Sequence, residues 1–474
     1  MTQRKSGAKA RAAGSTKAVA ERDVRADDIV AAMRKIRDYA KPYQALLVRS
    51  EQGEHLVRMI EGLTSNLERK SVEPVAVMLG LPRRGLQRFV GESAWDHEPL
   101  RDQLLAEVSK EIGVDDGTVI IDGSGTPKKG TNTVGVARQW CGRLGKTDNC
   151  VIGVYAAYVG KSELATLVGA ELFLPAKWAE DPERREATYV PEEITYRTQP
   201  EIARQLVEML AKKRLPFQWV LADDEFGRTR AFRDSIAALG KSYVVDVPEN
   251  TVVRRVRKSG VVRKKSWEAK ALAARVPVSD WTYFHVRDGE KRRIEVRATS
   301  LSIATHRDDN TWVPEILLVI ETTDGTQRWY CLARSSKEVV PLRELVRRAG
   351  MRHRVEEVFS EAKGEVGLDH FEVRAWHGWY HHATLCQMAH WFLVREKRRM
   401  GKKRRARHHQ PDPGGTRTAV LAITQSEPRS LLRELPSSSE RRRPPSPLRR
   451  PPPSWPTRPA PPDVVRGGTD HVGQ

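Results

Sequence analysis

Three acidic groups in this 474-residue chain stand where they could do chemistry. The first is Asp122 in "IIDGSGTPKKG" (120–130), where an apolar run ends in a lone acid, followed by small residues and then Lys128 and Lys129. The second is the cluster Asp223, Asp224 and Glu225 in "FQWVLADDEFG" (217–227), again closing an apolar run. The third lies in "RHRVEEVFSEAKGEVGLDHFEVR" (352–374). Read as helix, that segment puts Arg352, Glu356, Phe359 and Lys363 on one face, at spacings of four, three and four. Glu357 is turned about 100° away. Two strand carboxylates and one helix carboxylate make an all-oxygen set suited to magnesium. Two such ions ~4 Å apart activate an attacking oxygen and stabilise the leaving oxygen at a phosphodiester. Lys128, Lys129, Arg352 and Lys363 would then offset phosphate charge. Each part alone has a plainer reading: a lone Asp after a strand is commonly a turn residue or cap, and an Arg–Glu–Lys helix face a surface ion-pair ladder. "GSGTPKKG" is not a phosphate-binding P-loop, because Thr131 follows its last glycine where that motif requires Lys.

Strands must carry the first two groups. "TVIID" (118–122), "CVIGVYAAYV" (150–159) and "ELATLVGAELFLP" (163–175) read as strands. A helix over 200–213, the strand holding 217–222, a helix over 228–240 and the strand "SYVVDVP" (242–248) then alternate, which predicts an α/β layer. Residues 250–335 change texture. Period-two runs around Asp288-Gly289 and Asp324-Gly325 predict antiparallel hairpins with no helix. Helix returns over 341–399 and also fills 27–110. Within the latter, "SVEPVAVMLGLPRRGLQRFVGES" (71–93) has the shape of a helix-turn-helix, with Arg83, Arg84 and Arg88 on its second helix. Two packed helices with a basic outer face would read the same way.

Lys and Arg total 82 against 61 Asp and Glu, a net of +21 that favours a polyanionic partner, above all nucleic acid. From Arg395 onward there are 19 basic and 7 acidic residues, and the first 23 residues hold 6 and 2. The middle of the chain is near +5, so much of the basicity could be solvated tail. Residues 1–24 and the Pro/Arg-rich 401–474 read as disordered. Four scattered cysteines without a CxxC pair fit a reducing compartment. No apolar run is long enough for a bilayer and no signal peptide is visible, so a soluble, cytoplasmic protein without a membrane partner is expected.

The ordered combination resembles the DDE transposases of bacterial insertion sequences. Specifically it resembles the branch whose last acid lies in a Tyr-x2-Arg-x3-Glu-x6-Lys signature. "DGSGTPKKGTNTVGVARQWCGRLGKTDNCVIGVYAAY" resembles the first-Asp block of that family, "VLADDEFG" the second-Asp strand, and "RHRVEEVFSEAKGEVGLDHFEVRAWHGWYHH" the Glu block. The resemblance implies catalytic, metal-holding roles for Asp122, Asp223 and Glu356, with Arg352 and Lys363 at the signature spacings. The signature tyrosine falls on Ala349, Gly123 and Ser124 follow the first Asp, and the segment beyond Pro436 does not resemble the family.

The implied fold class is α/β: a ribonuclease-H-like catalytic core with an antiparallel β insertion, an N-terminal all-helical domain and a disordered C-terminal tail. The boundaries are a helical DNA-binding domain over 25–112, the core over 113–249 and 339–400, and the insertion over 250–338. The implied cofactor is two Mg2+ ions, with Mn2+ able to substitute. The implied partner is double-stranded DNA, both element ends and target, bound by a homodimer at the bacterial nucleoid. Two rivals remain open on sequence: a domesticated, non-catalytic DNA-binding protein, and a nuclease with the same core and no strand transfer.

Overall fold

The computed structural model describes residues 26–288, 293–336 and 339–407. The expectations for residues 1–24 and for the Pro/Arg-rich tail past 407 lie outside them. All described residues fall within one compact unit.

Five helices open the fold: α1 (Ala26–Gln44), α2 (Ser50–Leu63), α3 (Val72–Met78), α4 (Arg83–Gly91) and α5 (Glu98–Ile112). Gly80 turns the chain between α3 and α4 at φ +65°, a conformation a side chain would strain. Pro82 then leads into α4 in an extended conformation. Leu86, Phe89 and Val90 bury the inner side of α4, and Arg83, Arg84 and Arg88 stay exposed. The helix pair stands where the sequence placed it.

Next come β1 (Thr118–Pro127), β2 (Ala137–Cys141), β3 (Lys146–Val159) and β4 (Ala165–Leu172). Two short helices, α6 (Ala176–Ala179) and α7 (Pro182–Ala187), lead to α8 (Gln199–Lys212). Reciprocal hydrogen bonds between Thr198 and Glu201 fix the start of α8. Then follow β5 (Trp219–Ala222), α9 (Asp224–Gly227), α10 (Arg230–Ala238) and β6 (Ser242–Asp246). β3 runs antiparallel to both β1 and β4, whereas β1, β5 and β6 are parallel. The order is β4-β3-β1-β5-β6, with β3 alone reversed; β2 pairs with the first residues of β3.

The β-rich insertion comprises β7 (Val252–Val256), β8 (Val262–Glu268), α11 (Ala269–Ala273), β9 (Thr282–Asp288), β10 (Arg293–His306), β11 (Trp312–Thr322) and β12 (Arg328–Arg334). Its pairings are antiparallel, as expected. Two features differ from expectation. Residues 250–335 do contain helix: Ala269, Leu272 and Ala273, at spacings of three and one, bury one side of α11. The insertion also continues the core sheet, because β12 pairs with β6 through Cys331 opposite Asp246. Among the described residues, twelve strands thus share one sheet.

The chain closes with α12 (Leu342–Met351), α13 (Arg354–Val366) and α14 (Trp376–Arg407). The segment 352–374 is therefore helical only from Arg354 through Val366, and Arg352, read from sequence as part of that helix, lies in the turn before it. Gly367, at φ +67°, ends α13 in the left-handed conformation that stops helices. α14 packs against β4 on one side and against α2, α4 and α5 on another. His381 bonds the carbonyls of Val90 and Trp95, and Tyr39 donates to the Met388 carbonyl. One continuous apolar core runs from the N-terminal helices through the sheet to α14.

Candidate active site

Register places the first two acids side by side. β1 and β5 pair in parallel from Thr118–Trp219 to Ile121–Ala222, and the next residues are Asp122 and Asp223. Adjacent strands lie ~4.8 Å apart, so these two backbones are neighbours. Sequence suggested that β1 stops at Asp122. It continues to Pro127 along β3, while β5 ends at Ala222. Asp122 therefore stands where β1 loses its parallel neighbour. Gly125 suits the continuing strand, since a Cβ there would lie 3.2 Å from the Cys141 thiol.

Backbone amides orient both acids. Asp122 Oδ1 accepts from the Gly123 N–H at 2.7 Å, and Asp223 Oδ1 accepts from the Glu225 N–H at 3.0 Å as the cap of α9. The other members of the acidic cluster are engaged or exposed: Asp224 pairs with Arg228 at 2.6 Å and Glu225 faces solvent. Burial first, and the Asp223 carboxylate second, push Asp122 up to about 7, against the pull of Arg352. Burial and then Asp224 push Asp223 up to about 6, again opposed by Arg352.

A third strand end, not singled out from sequence, completes the row. β5 and β6 pair through Ala222–Val245, so Asp246 follows at the level of Asp223. Burial raises Asp246, while Arg352 and the Cys331 thiol hold it down. Cys331 Sγ lies 3.2 Å from its carboxylate. The signal was present: "SYVVDVP" is another apolar strand closing on an acid.

Arg352 lies among these acids. Its Nε is 2.8 Å from Asp246 Oδ2 and its Nη2 is 3.8 Å from Glu356 Oε1. Asp122 and Asp223 also raise its pKa electrostatically. Glu356 lies in the first turn of α13 with its side chain 64% exposed, and it raises Asp122. Glu357 points elsewhere, 2.6 Å from Arg354 and 3.1 Å from His353. Lys363 lies 5.2 Å from the Phe359 ring on the same face; burial lowers its pKa and Asp122 acts against that shift.

The remaining cations divide. Lys128 is drawn inward: its ammonium donates to the Phe371 carbonyl and stands 3.3 Å from that ring, and burial lowers it to about 8. Lys129 is exposed. Arg83 pairs with Glu73 at 2.8 Å and Arg88 lies 3.8 Å from Glu92, on a helix pair remote in sequence from the acids.

Among the described residues, no three His, Cys, Asp or Glu side chains are gathered closely enough to share one cation. The donor chemistry nevertheless fits a hard divalent ion. Asp122 and Asp223 are adjacent carboxylates whose burial and like charge both favour a bound cation. Glu356 and Arg352 flank them.

A family model described as "DDE superfamily endonuclease" matches residues 42–299, a span that includes Asp122 and Asp223 and stops before Glu356. A relative described as "Probable transposase for insertion sequence element IS701", from Microchaete diplosiphon, is 30% identical over 225 residues, covering 46% of this chain and 55% of the relative. The chain thus spans about half the length of that relative. A solved piggyBac transposase synaptic complex with hairpin DNA aligns over 85% of this chain and 80% of its own at 10% identity and a TM-score of 0.36, too slight a likeness to bear on the fold.

Proposed function

This chain belongs to the DDE superfamily endonucleases, and from that premise we propose that it is an insertion-sequence transposase that cuts and joins DNA at Asp122, Asp223 and Glu356. The observation that carries the reading is the adjacency of Asp122 and Asp223 past the last β1–β5 pair, with both carboxyls pushed up. The order β4-β3-β1-β5-β6 with β3 alone reversed supports a ribonuclease-H-like core over 113–249 and 339–400. The helices over 25–112 would grip element ends and 250–338 would be the insertion.

Two bound Mg2+ ions, or Mn2+ in their place, would activate the attacking oxygen and stabilise the leaving one. Asp122 and Asp223 would hold them, oriented by the Gly123 and Glu225 amides. Glu356 would complete the set from α13. Arg352 and Lys363 lie on the Glu356 side and would meet the phosphate charge. Water attacks the phosphodiester at the element end and breaks the P–O3′ bond, leaving a free 3′-hydroxyl on the other fragment. That hydroxyl then attacks a phosphodiester of target DNA and displaces its 3′-oxygen. A homodimer would hold two ends at once.

DNA flanking the gene tests the proposal. Terminal inverted repeats bounded by a short direct duplication are expected, and a plasmid carrying them should be cut at their ends when the chain and Mg2+ are added. Flanks without repeats, together with no cleavage in either metal, would overturn it.

A further inference from the structure

The charge of the middle of the chain is not spread evenly. Residues 24–394 hold 57 basic and 52 acidic residues. The hairpin β7–β8, residues 252–268, contributes seven of the former and one of the latter, so the rest of that span is close to neutral. Arg255, Arg257, Lys258, Arg263, Lys264 and Lys265 are exposed. Among the described residues none of the six has a carboxylate within ion-pair distance, and the hairpin's single acid, Glu268, lies 3.8 Å from Lys270. Six unpaired cations on one hairpin repel one another, and that arrangement is relieved by an anionic partner.

Position and order add to charge. β8 is the last strand of the sheet path, five steps from β6 and its Asp246. At ~4.8 Å a step the hairpin lies roughly 24 Å along the sheet from the carboxylates, the length of about seven base pairs at ~3.4 Å each. Trp267 orders one of these cations, Lys265, 4.2 Å from its ring, and also meets Arg275, beyond the hairpin, at 4.3 Å. Arg254 is likewise fixed 3.9 Å from the Trp312 ring. Cations held on a folded strand lose little entropy on binding. A charged edge strand can also serve only to keep sheets from pairing edge to edge, a role that one or two lysines fill.

We propose that the β7–β8 hairpin is a second duplex-DNA contact, engaging the phosphate backbone without regard to sequence, apart from the helical N-terminal region. It rests on the DNA reading above and adds a place on the protein that this reading did not use. Arginine and lysine would meet phosphates there with no carboxylate in ion-pair distance to compete, so the contact is strongly salt-dependent.

The test compares the full chain with R257Q/K258Q/R263Q/K264Q, measuring affinity for a random 40-base-pair duplex against salt, with a chelator present so that no cleavage occurs. Each lost phosphate contact lowers the slope of log affinity against log salt by ~0.9. The variant should lose up to about 3.6 units of slope and at least tenfold in affinity at ~0.1 M salt. Its preference for element ends over random DNA should be unchanged. Lysine acetylation of the unmodified chain gives a second readout: bound duplex should protect Lys258 and Lys264 and leave the exposed Lys161 and Lys177 reactive. Unchanged slope, unprotected hairpin lysines, a single-stranded RNA that competes better than duplex DNA, or a variant that aggregates yet binds normally would each overturn the proposal. The two readings separate cleanly. A chain that never cuts DNA but loses slope in the variant retains this contact and loses the catalytic reading. A chain that cuts with Mg2+ while the variant binds as before loses only this contact.

Discussion

Asp122 and Asp223 stand level on adjacent parallel strands, each one residue past the last paired couple, Ile121 and Ala222. Burial, with the Asp223 carboxylate second, holds Asp122 up to about 7, and burial, with Asp224 second, holds Asp223 up to about 6, against an ordinary 3.8. The folded chain keeps protons there that the unfolded chain has already released. Stability from this source is present below about pH 4 and is lost as pH rises through 6 and 7. Metal-free protein should therefore melt lower at pH 8 than at pH 5. Asp122→Asn, neutral throughout, should flatten that trend and melt a few degrees higher than the parent at pH 8, where relief of ~1–2 kcal/mol is expected. Added Mg2+ should stabilise the parent more at pH 8 than at pH 6, since on the proposed reading it would bind the deprotonated pair. Melting curves over this range check all three, and a parent that grows more stable from pH 5 to 8 without metal would contradict them.

Asp246 keeps Arg352 to one side, at 2.8 Å. Without that partner the guanidinium is left to Asp122, Asp223 and Glu356, where it competes with a cation for the same charge. Asp246→Asn should raise the Mg2+ concentration giving half-maximal cleavage roughly tenfold, a shift of ~1.4 kcal/mol, while maximal rate at saturating metal stays within a few-fold. A metal titration of cleavage reads this directly. An unchanged midpoint would show that Asp246 does not restrain Arg352.

The helix face of α13 gives a paired comparison. Glu356 raises Asp122 and lies near Arg352, whereas Glu357 is taken up by His353 and Arg354. Glu356→Ala should reduce cleavage a thousandfold or more and leave DNA affinity within a few-fold. Glu357→Ala removes an exposed pair and should cost under ~1 kcal/mol of stability with cleavage near normal. The reverse pattern in a cleavage assay would move the third acid to Glu357.

The exposed arginines of α4 are carried on a folded helix. Arg83, Arg84 and Arg88 stand on an ordered helix against a buried Leu86, Phe89 and Val90, so their positions relative to a groove can be fixed. Changing all three to Ala should lower the preference for element ends over random DNA about tenfold or more. Truncation after Arg407 should weaken both alike and reduce salt dependence. The ratio of the two affinities at ~0.15 M salt checks this. A truncation that abolished end preference, with the triple variant unaffected, would remove the helix-turn-helix role from α4.

Sequence made the acids visible because each closes an apolar run or takes a defined place on a helix. The same patterns predicted the helix pair at 71–93, the alternating core and the antiparallel pairings of the insertion. Three things were hidden. The joining of β12 to β6 is a pairing between residues 85 apart, Asp246 and Cys331, which local periodicity cannot carry. Asp246 closes an apolar run as the other strand acids do, but its level beside Asp223 is set by the long-range β5–β6 pairing. The inward turn of Lys128 depends on Phe371, so two neighbouring lysines that look alike in sequence have different surroundings. The basic hairpin was masked for another reason: averaging charge over the middle of the chain diluted residues 252–268 with a near-neutral remainder.

The most direct test of the central claim is single-turnover cleavage of end-labelled duplex carrying one terminal repeat and its flank, by the full chain and by Asp122→Asn and Asp223→Asn, with Mg2+, Mn2+ or chelator. The account predicts a nick at the repeat boundary that leaves a 3′-hydroxyl, requires either metal, and falls at least a thousandfold in each variant while binding persists. Cleavage that survives chelation, or that persists in both variants, would contradict it.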